Sequence, residues 1–90
     1  MNEPYETLLG QYRDHWLLWQ FLQDDTPDWV GIANCGRLES LSMGELVMLH
    51  VAKAFHDPND RSAAFGDILR WLDVDNRWRV LRALNATVPT

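Results

Sequence analysis

Positions 42–56 read S-M-G-E-L-V-M-L-H-V-A-K-A-F-H, and this stretch decides the fold. Ser42 and Glu45 have the spacing of a capping box, in which the serine hydroxyl and the glutamate carboxylate each accept the other residue's backbone N–H. Apolar side chains cover most of the circumference of the helix that follows, which is typical of a helix buried in a core. Pro58 then lies in a sequence that favours a turn. The sequence therefore predicts a central buried helix over about 43–56.

Two helical segments are predicted before the central helix. The first covers about 3–23. The second has Thr26 as its N-cap and Pro27 as its first residue, continues to about Cys35 and ends at Gly36 in the left-handed conformation. The alternative for residues 29–32 is a short extended segment. Apolar residues at helical spacing form the expected core stripe of the first segment. They are Tyr5, Leu8, Leu9, Tyr12, Trp16, Trp19 and Leu22.

Two further helices are predicted after the turn. The first begins near 60–62 and ends at Leu72, and the second has Asp75 as its N-cap. Both show apolar residues at a period near 3.6. The expected buried positions are Phe65, Ile68, Leu69 and Leu72 in the first helix, and Trp78, Val80, Leu81 and Leu84 in the second.

The fold class follows from these periods. Alternating runs of β-branched residues are missing, so the sequence does not favour a sheet. Ninety residues correspond to one domain. We predict an all-α fold over 1–90, a small bundle of four to five helices around the central helix, with a short disordered tail at about 87–90.

Charge is unevenly distributed along the chain. Residues 1–60 carry three basic and ten acidic side chains, a net charge of −7, whereas residues 61–90 carry five basic and three acidic ones, a net charge of +2. Such asymmetry can mark a surface for a partner. The chain also contains five tryptophans, which are enriched at the centres of protein interfaces.

We recognise no set of residues with the pattern of a catalytic site, a cofactor-binding site or a metal-binding site. His15, His50 and His56 do not stand three or four residues apart, and zinc requires four convergent ligands. Cys35 is the single cysteine, which excludes an internal disulfide and suits a reducing cytoplasm. Neither a signal peptide nor an apolar run of about 20 residues is present. We expect a cytoplasmic protein that is not an enzyme, with no cofactor and no membrane contact.

The leading hypothesis for function is a non-catalytic protein-protein interaction module. It would act as an adaptor, a regulator or an inhibitor, or as a homodimer. Leu17 and Phe21 lie one turn apart and off the core stripe of the first segment, so they need a second neighbour in the same chain or in another protein. The predicted interface residues are Leu17, Phe21, Trp29, Arg79 and Arg82.

Two alternative functions remain open. Residues 63–85 have the shape of a helix-turn-helix, and its second helix could meet phosphates or base edges of DNA. Those nucleic-acid contacts would come from Asn76, Arg77, Arg79 and Arg82. A sequence pI near 4.9 argues against this hypothesis. The acidic residues of 1–60 also allow a different role, that of an inhibitor occupying a nucleic-acid-binding groove of another protein.

Overall fold

The computed structural model describes residues 1–87, and within them the predicted all-α fold is confirmed. Five α-helices and three short 3-10 segments surround one core, and this part of the chain contains no strand. The α-helices are α1 (Tyr5–Leu9), α2 (Trp29–Asn34), α3 (Met43–His56), α4 (Phe65–Trp71) and α5 (Val74–Thr87). The 3-10 segments are Gly10–Tyr12, Leu18–Phe21 and Leu38–Ser40. Thr87 thus belongs to α5, and residues 88–90 of the predicted tail lie outside the described residues.

The central helix has the predicted bounds. Its capping box is complete, because the Ser42 N–H donates to Glu45 Oε1 at 2.8 Å and the Glu45 N–H donates to Ser42 Oγ at 3.2 Å. Only the two end residues, Met43 and His56, are exposed. The buried positions are Val47, Met48, Leu49, Val51 and Ala52. Helices α1 and α4 pack against α3, so it is the core of the bundle.

The prediction of one continuous helix over 3–23 is wrong, because α1 ends at Leu9 and the chain is broken again at His15. Nδ1 of His15 accepts hydrogen bonds from the backbone N–H groups of Leu17 and Leu18, at 3.1 and 3.2 Å. A side chain that captures these donors offers the backbone an alternative to the helical ladder. The segment therefore consists of α1, a 3-10 turn and, after the break, a second 3-10 turn.

Because of this break, the buried and exposed residues in this part of the segment are the reverse of those that the helical pattern predicts. Leu17 is only 3% exposed and Leu18 is fully buried, whereas Trp16 is 55% exposed and Trp19 also faces solvent. Phe21 is half-buried and packs against the core. The second neighbour that Leu17 and Phe21 need is thus supplied by their own chain.

The N-terminal ends of α2 and α5 are capped by aspartates other than the residues predicted for that role. Asp28, not Thr26, caps α2, since its Oδ1 accepts the Gly31 N–H at 3.0 Å. Asp73, not Asp75, takes the same role in α5 by accepting the Asn76 N–H at 2.9 Å. Gly36 follows α2 with φ of 68°, as predicted.

Helix α4 begins later than the predicted 60–62. Oδ1 of Asp57 accepts the Asn59 N–H at 3.0 Å, and Oδ1 of Asp60 accepts the Ser62 N–H at 2.9 Å. These turns occupy backbone donors that a helix would use. The first helical residue is therefore Phe65.

Glu45 links the start of α3 to the break in the first segment. Since Nδ1 of His15 is an acceptor, its Nε2 carries the ring proton and donates to Glu45 Oε2 at 2.6 Å. Partial burial raises the pKa of the Glu45 carboxyl, but hydrogen bonds from Ser42 and His15 outweigh it and hold the pKa below its usual range.

Stability should therefore depend on the ionisation of Glu45. A depressed folded-state pKa stabilises the fold above the unfolded-state pKa, and this contribution is lost as pH falls through the folded-state value. Glu45→Gln retains an acceptor but cannot titrate. We expect the stability difference between the natural chain and this variant to shrink as the pH is lowered from 7 to 3, because the carboxyl is then protonated and its extra stabilisation is lost. Urea titrations across that range measure it.

The control for this experiment is Glu39→Gln, which changes an exposed glutamate. Its stability curve should run parallel to that of the natural chain. A difference between the natural chain and Glu45→Gln that stays constant from pH 7 to pH 3 would contradict the role assigned to Glu45.

Candidate functional site

Helix α5 packs on α1 through its smaller side chains. Val80 and Ala83 are buried, and Asn76 lies one turn earlier on the same side, where its Oδ1 accepts from Gln11 Nε2 at 2.7 Å. The opposite side of α5 is apolar and faces solvent, with Trp78 59% exposed and Leu81 about half exposed. The prediction that Trp78, Leu81 and Leu84 are buried is therefore wrong; of the predicted stripe, only Val80 is inside.

Helix α4 extends this exposed apolar region. Phe65 is 74% exposed and Leu69 is also exposed, although both were predicted to be buried, while Ile68 and Leu72 do pack on the core. Nη2 of Arg77 donates to the Leu69 carbonyl at 2.6 Å, so the exposed side of α5 adjoins α4. We call the combined region the α4–α5 apolar surface. It comprises Phe65, Leu69, Val74, Trp78 and Leu81.

The exposed area of this surface can be estimated from its two aromatic residues. A fully buried aromatic side chain covers 150–250 Å², so the exposed parts of Phe65 and Trp78 alone amount to on the order of 250 Å². Val74, Leu69 and Leu81 add to it. The exposed apolar area is therefore comparable with the largest patch on a typical soluble monomer, about 300–600 Å², and such patches often serve in binding.

Charged side chains border the α4–α5 apolar surface. Arg70, Arg82 and Asp75 are exposed, and the aliphatic stem of Arg77 reaches across to α4. Within residues 1–87, neither Asp75 nor Arg82 forms a side-chain hydrogen bond or an ion pair. Both charges are thus free to meet groups of another molecule.

The structure separates the predicted interface residues from one another. Leu17 is buried, and Phe21 and Trp29 are half-buried against the core. Arg79 Nη1 donates to Asn76 Oδ1 at 3.0 Å beside α1, and Arg82 lies exposed on another side of α5. These five residues do not share one surface.

The four residues predicted to contact nucleic acid are also dispersed. Asn76 accepts from Gln11 and Arg79, while Arg77 is bonded to the Leu69 carbonyl. At 100° per residue, Arg77 and Arg82 lie about 140° apart around α5. A recognition helix presents its contact residues along one side, and these four residues do not form such a stripe.

The histidines and the cysteine are held in unrelated environments. His15 is bonded to Glu45, whereas the His56 ring lies 5.9 Å from that of Trp29. Cys35 is half-buried as a free thiol. Among residues 1–87, no three His, Cys, Asp or Glu side chains are grouped so that they could hold a metal ion.

A cavity of about 160 Å³ lies between α2, α3 and the turn at 57–64. It is lined by apolar side chains together with Trp29, His50, Lys53 and Asp60, and Lys53 Nζ lies 3.4 Å from Asp60 Oδ2. The indole N–H of Trp29 is buried without a hydrogen-bond partner within the described chain. A cavity of this volume could hold a group about the size of benzene.

An open groove at the other end of α3 is lined by Tyr12, Glu45, Asp73 and Asn76, among others. Burial raises the pKa of Tyr12 to about 12, so its phenol is neutral at physiological pH. The carboxylates of Glu45 and Asp73 are already engaged in helix capping. The groove therefore lacks an uncommitted acid or base.

Comparisons with protein-family models, curated proteins and solved structures find no match to this chain. None of the helices within residues 1–87 combines the length and the apolar content needed to cross a bilayer.

One sequence signal for the α4–α5 apolar surface exists. Val74, Trp78, Leu81 and Asn85 follow one another at intervals of four, three and four residues. This is the spacing of the contact positions in a coiled coil. We call these four positions the α5 seam, and all four are exposed.

Proposed function

We propose that this protein is a small protein-protein interaction module that binds through the α4–α5 apolar surface. The observation that carries the proposal is the exposure of Phe65 and Trp78 beside Leu69 and Leu81 on two adjacent helices. Covering these side chains would remove a large apolar area from water, which drives association. Tryptophan and arginine are also the residues that most often dominate binding energies at interfaces.

Nucleic acid is a weaker candidate partner for the same helices. Asn76, Arg77 and Arg79 already hydrogen-bond within the chain. The exposed centre of the surface is apolar, and phosphate contacts need cations there instead. The proposal includes the cytoplasm as the compartment, which the single cysteine suits.

Site-specific photo-crosslinking in the cells that make this protein tests the proposal. Benzoylphenylalanine at position 78 replaces one large exposed aromatic side chain by another and should form covalent adducts with a protein chain. Position 30 provides the control, because Val30 is exposed on α2, away from α4 and α5. We expect adducts at position 78 and at least tenfold less adduct at position 30.

Mass spectrometry identifies the chain joined to position 78. An adduct with another protein or with a second copy of this chain would support the module. If position 78 gave no more protein adduct than position 30, the proposal would be wrong.

A further inference from the structure

We infer that the occupant of the α4–α5 apolar surface is a second copy of this chain, with the two α5 helices antiparallel across a twofold axis. This inference rests on the proposed function and specifies the partner. Three observations carry it: the spacing of the α5 seam, its exposure, and the placement of charges beside it.

The α5 seam has the spacing by which helices pair, and it extends over about three helical turns. In an antiparallel pair centred between positions 78 and 81, Trp78 would lie opposite Leu81 of the second copy. Val74 would lie opposite Asn85 of the second copy. The Trp78–Leu81 layers then place a large side chain against a smaller one, and the apolar residues Val74, Trp78 and Leu81 each gain a neighbour.

The charges beside the α5 seam fit this direction. Asp75 and Arg82 lie seven residues apart, on the same edge of α5. In the antiparallel pair, Asp75 meets Arg82 of the second copy, and the twofold axis produces the same contact again. Both side chains lack an ion pair within residues 1–87 of their own chain, so they are available for it.

The parallel arrangement is disfavoured by the same residues. In a parallel pair, the residue just before Trp78 on one helix lies close to the residue five positions further along on the other helix. Those two residues are Arg77 of one copy and Arg82 of the second copy. Two like charges would face each other on both sides of the interface, which opposes the parallel pairing.

Helix α4 extends the contact beyond α5. Arg77 lies on the edge of the α5 seam opposite Asp75 and Arg82, and its bond to the Leu69 carbonyl brings the end of α4 to that edge. Phe65 lies one turn before Leu69 on the same side of α4. The apolar groups that flank the α5 seam are therefore placed to pack against the second copy as well.

Charge reversal tests the inference without depending on a single variant. Asp75→Arg places two arginines opposite each other in each of the two contacts, and Arg82→Asp places two aspartates there. Each variant alone should raise the dimer dissociation constant at least about tenfold. An equimolar mixture of the two variants should associate with near-natural affinity, because every contact then joins an arginine to an aspartate.

Sedimentation equilibrium of the full chain from about 1 µM to about 1 mM provides the measurement. Arg61→Asp is the matched control, since it reverses an exposed arginine in the turn before α4, outside both helices of the α4–α5 apolar surface, and it should leave the dissociation constant within about twofold. Circular dichroism of every variant checks that the helices are retained.

A natural chain that stays monomeric at about 1 mM would overturn the inference. So would single variants that dimerise as well as the natural chain, or a mixture that fails to restore association. Adducts between position 78 and a different protein, together with a monomeric natural chain, would overturn the homodimer while leaving the interaction module intact.

Discussion

Replacing Met48 by alanine is expected to lower the free energy of unfolding by about 2–5 kcal/mol, the range for truncating a fully buried large apolar side chain. Met48 lies in the middle of α3 with no solvent exposure. The shortened side chain would leave a cavity that α3 and its neighbours fill only in part. Urea denaturation followed by circular dichroism measures the loss.

Met43→Ala is the matched control for this variant. Met43 belongs to the same helix, but it lies in the first turn and is exposed. We expect its replacement to cost less than about 1 kcal/mol. All proteins should be compared at one concentration, because self-association would add to the apparent stability. Equal losses for the two variants would show that α3 is not the buried centre of the fold.

Replacing Leu17 by alanine is the second change with a large expected effect, again about 2–5 kcal/mol. Leu17 is buried as a consequence of the break at His15. If the segment 3–23 were one straight helix, Leu17 would lie off the core stripe and Trp16 would lie on it, so truncating Trp16 would cost more than truncating Leu17. The two losses together therefore distinguish the broken segment from the continuous helix.

Trp16→Ala provides the comparison for Leu17→Ala. Trp16 is exposed, although its ring stacks on His15 with the centroids 5.6 Å apart and lies 5.3 Å from the guanidinium carbon of Arg37. A partly solvated cation–π contact contributes about 0.5–1 kcal/mol, so the loss should stay near that value. A larger loss for Trp16→Ala than for Leu17→Ala would contradict the structure of this segment.

The central helix could be predicted from sequence because its signals are local. Ser42 and Glu45 stand at the capping-box spacing, and residues 43–56 are apolar around most of the helix. Because this helix is buried on nearly every side, its prediction does not depend on identifying the side that faces the core. The fold class followed from the same kind of periodicity in the other segments.

The break at His15 could not be predicted in this way. Its cause is one imidazole nitrogen that accepts two backbone N–H groups while Nε2 of the same ring donates to Glu45, thirty residues later. Helical periodicity reflects only the spacing of apolar side chains, so it does not reveal a hydrogen bond between a side chain and the backbone that competes with the helix. The predicted stripe therefore placed Trp16 and Trp19 in the core, and they are exposed.

Helix α5 shows why the location of the candidate site differs from the predicted interface. It has two apolar sides, and the α5 seam has the larger residues, so the sequence pattern places the seam in the core although it faces solvent. The side that packs on α1 contains Ala83 and Val80, together with Asn76, whose bond to Gln11 joins two distant parts of the chain. Composition did indicate surplus aromatic surface, and apart from half-buried Trp29 the tryptophans are exposed.

The central claim is that the α4–α5 apolar surface is covered in solution by another copy of the chain. Broadening of the tryptophan indole N–H signals by a soluble paramagnetic agent tests this claim directly, with Trp16 as an internal reference on a different part of the surface. We predict that Trp78 is protected relative to Trp16 at high protein concentration and becomes equally accessible on dilution. Trp78 that is as accessible as Trp16 at every concentration would contradict the claim.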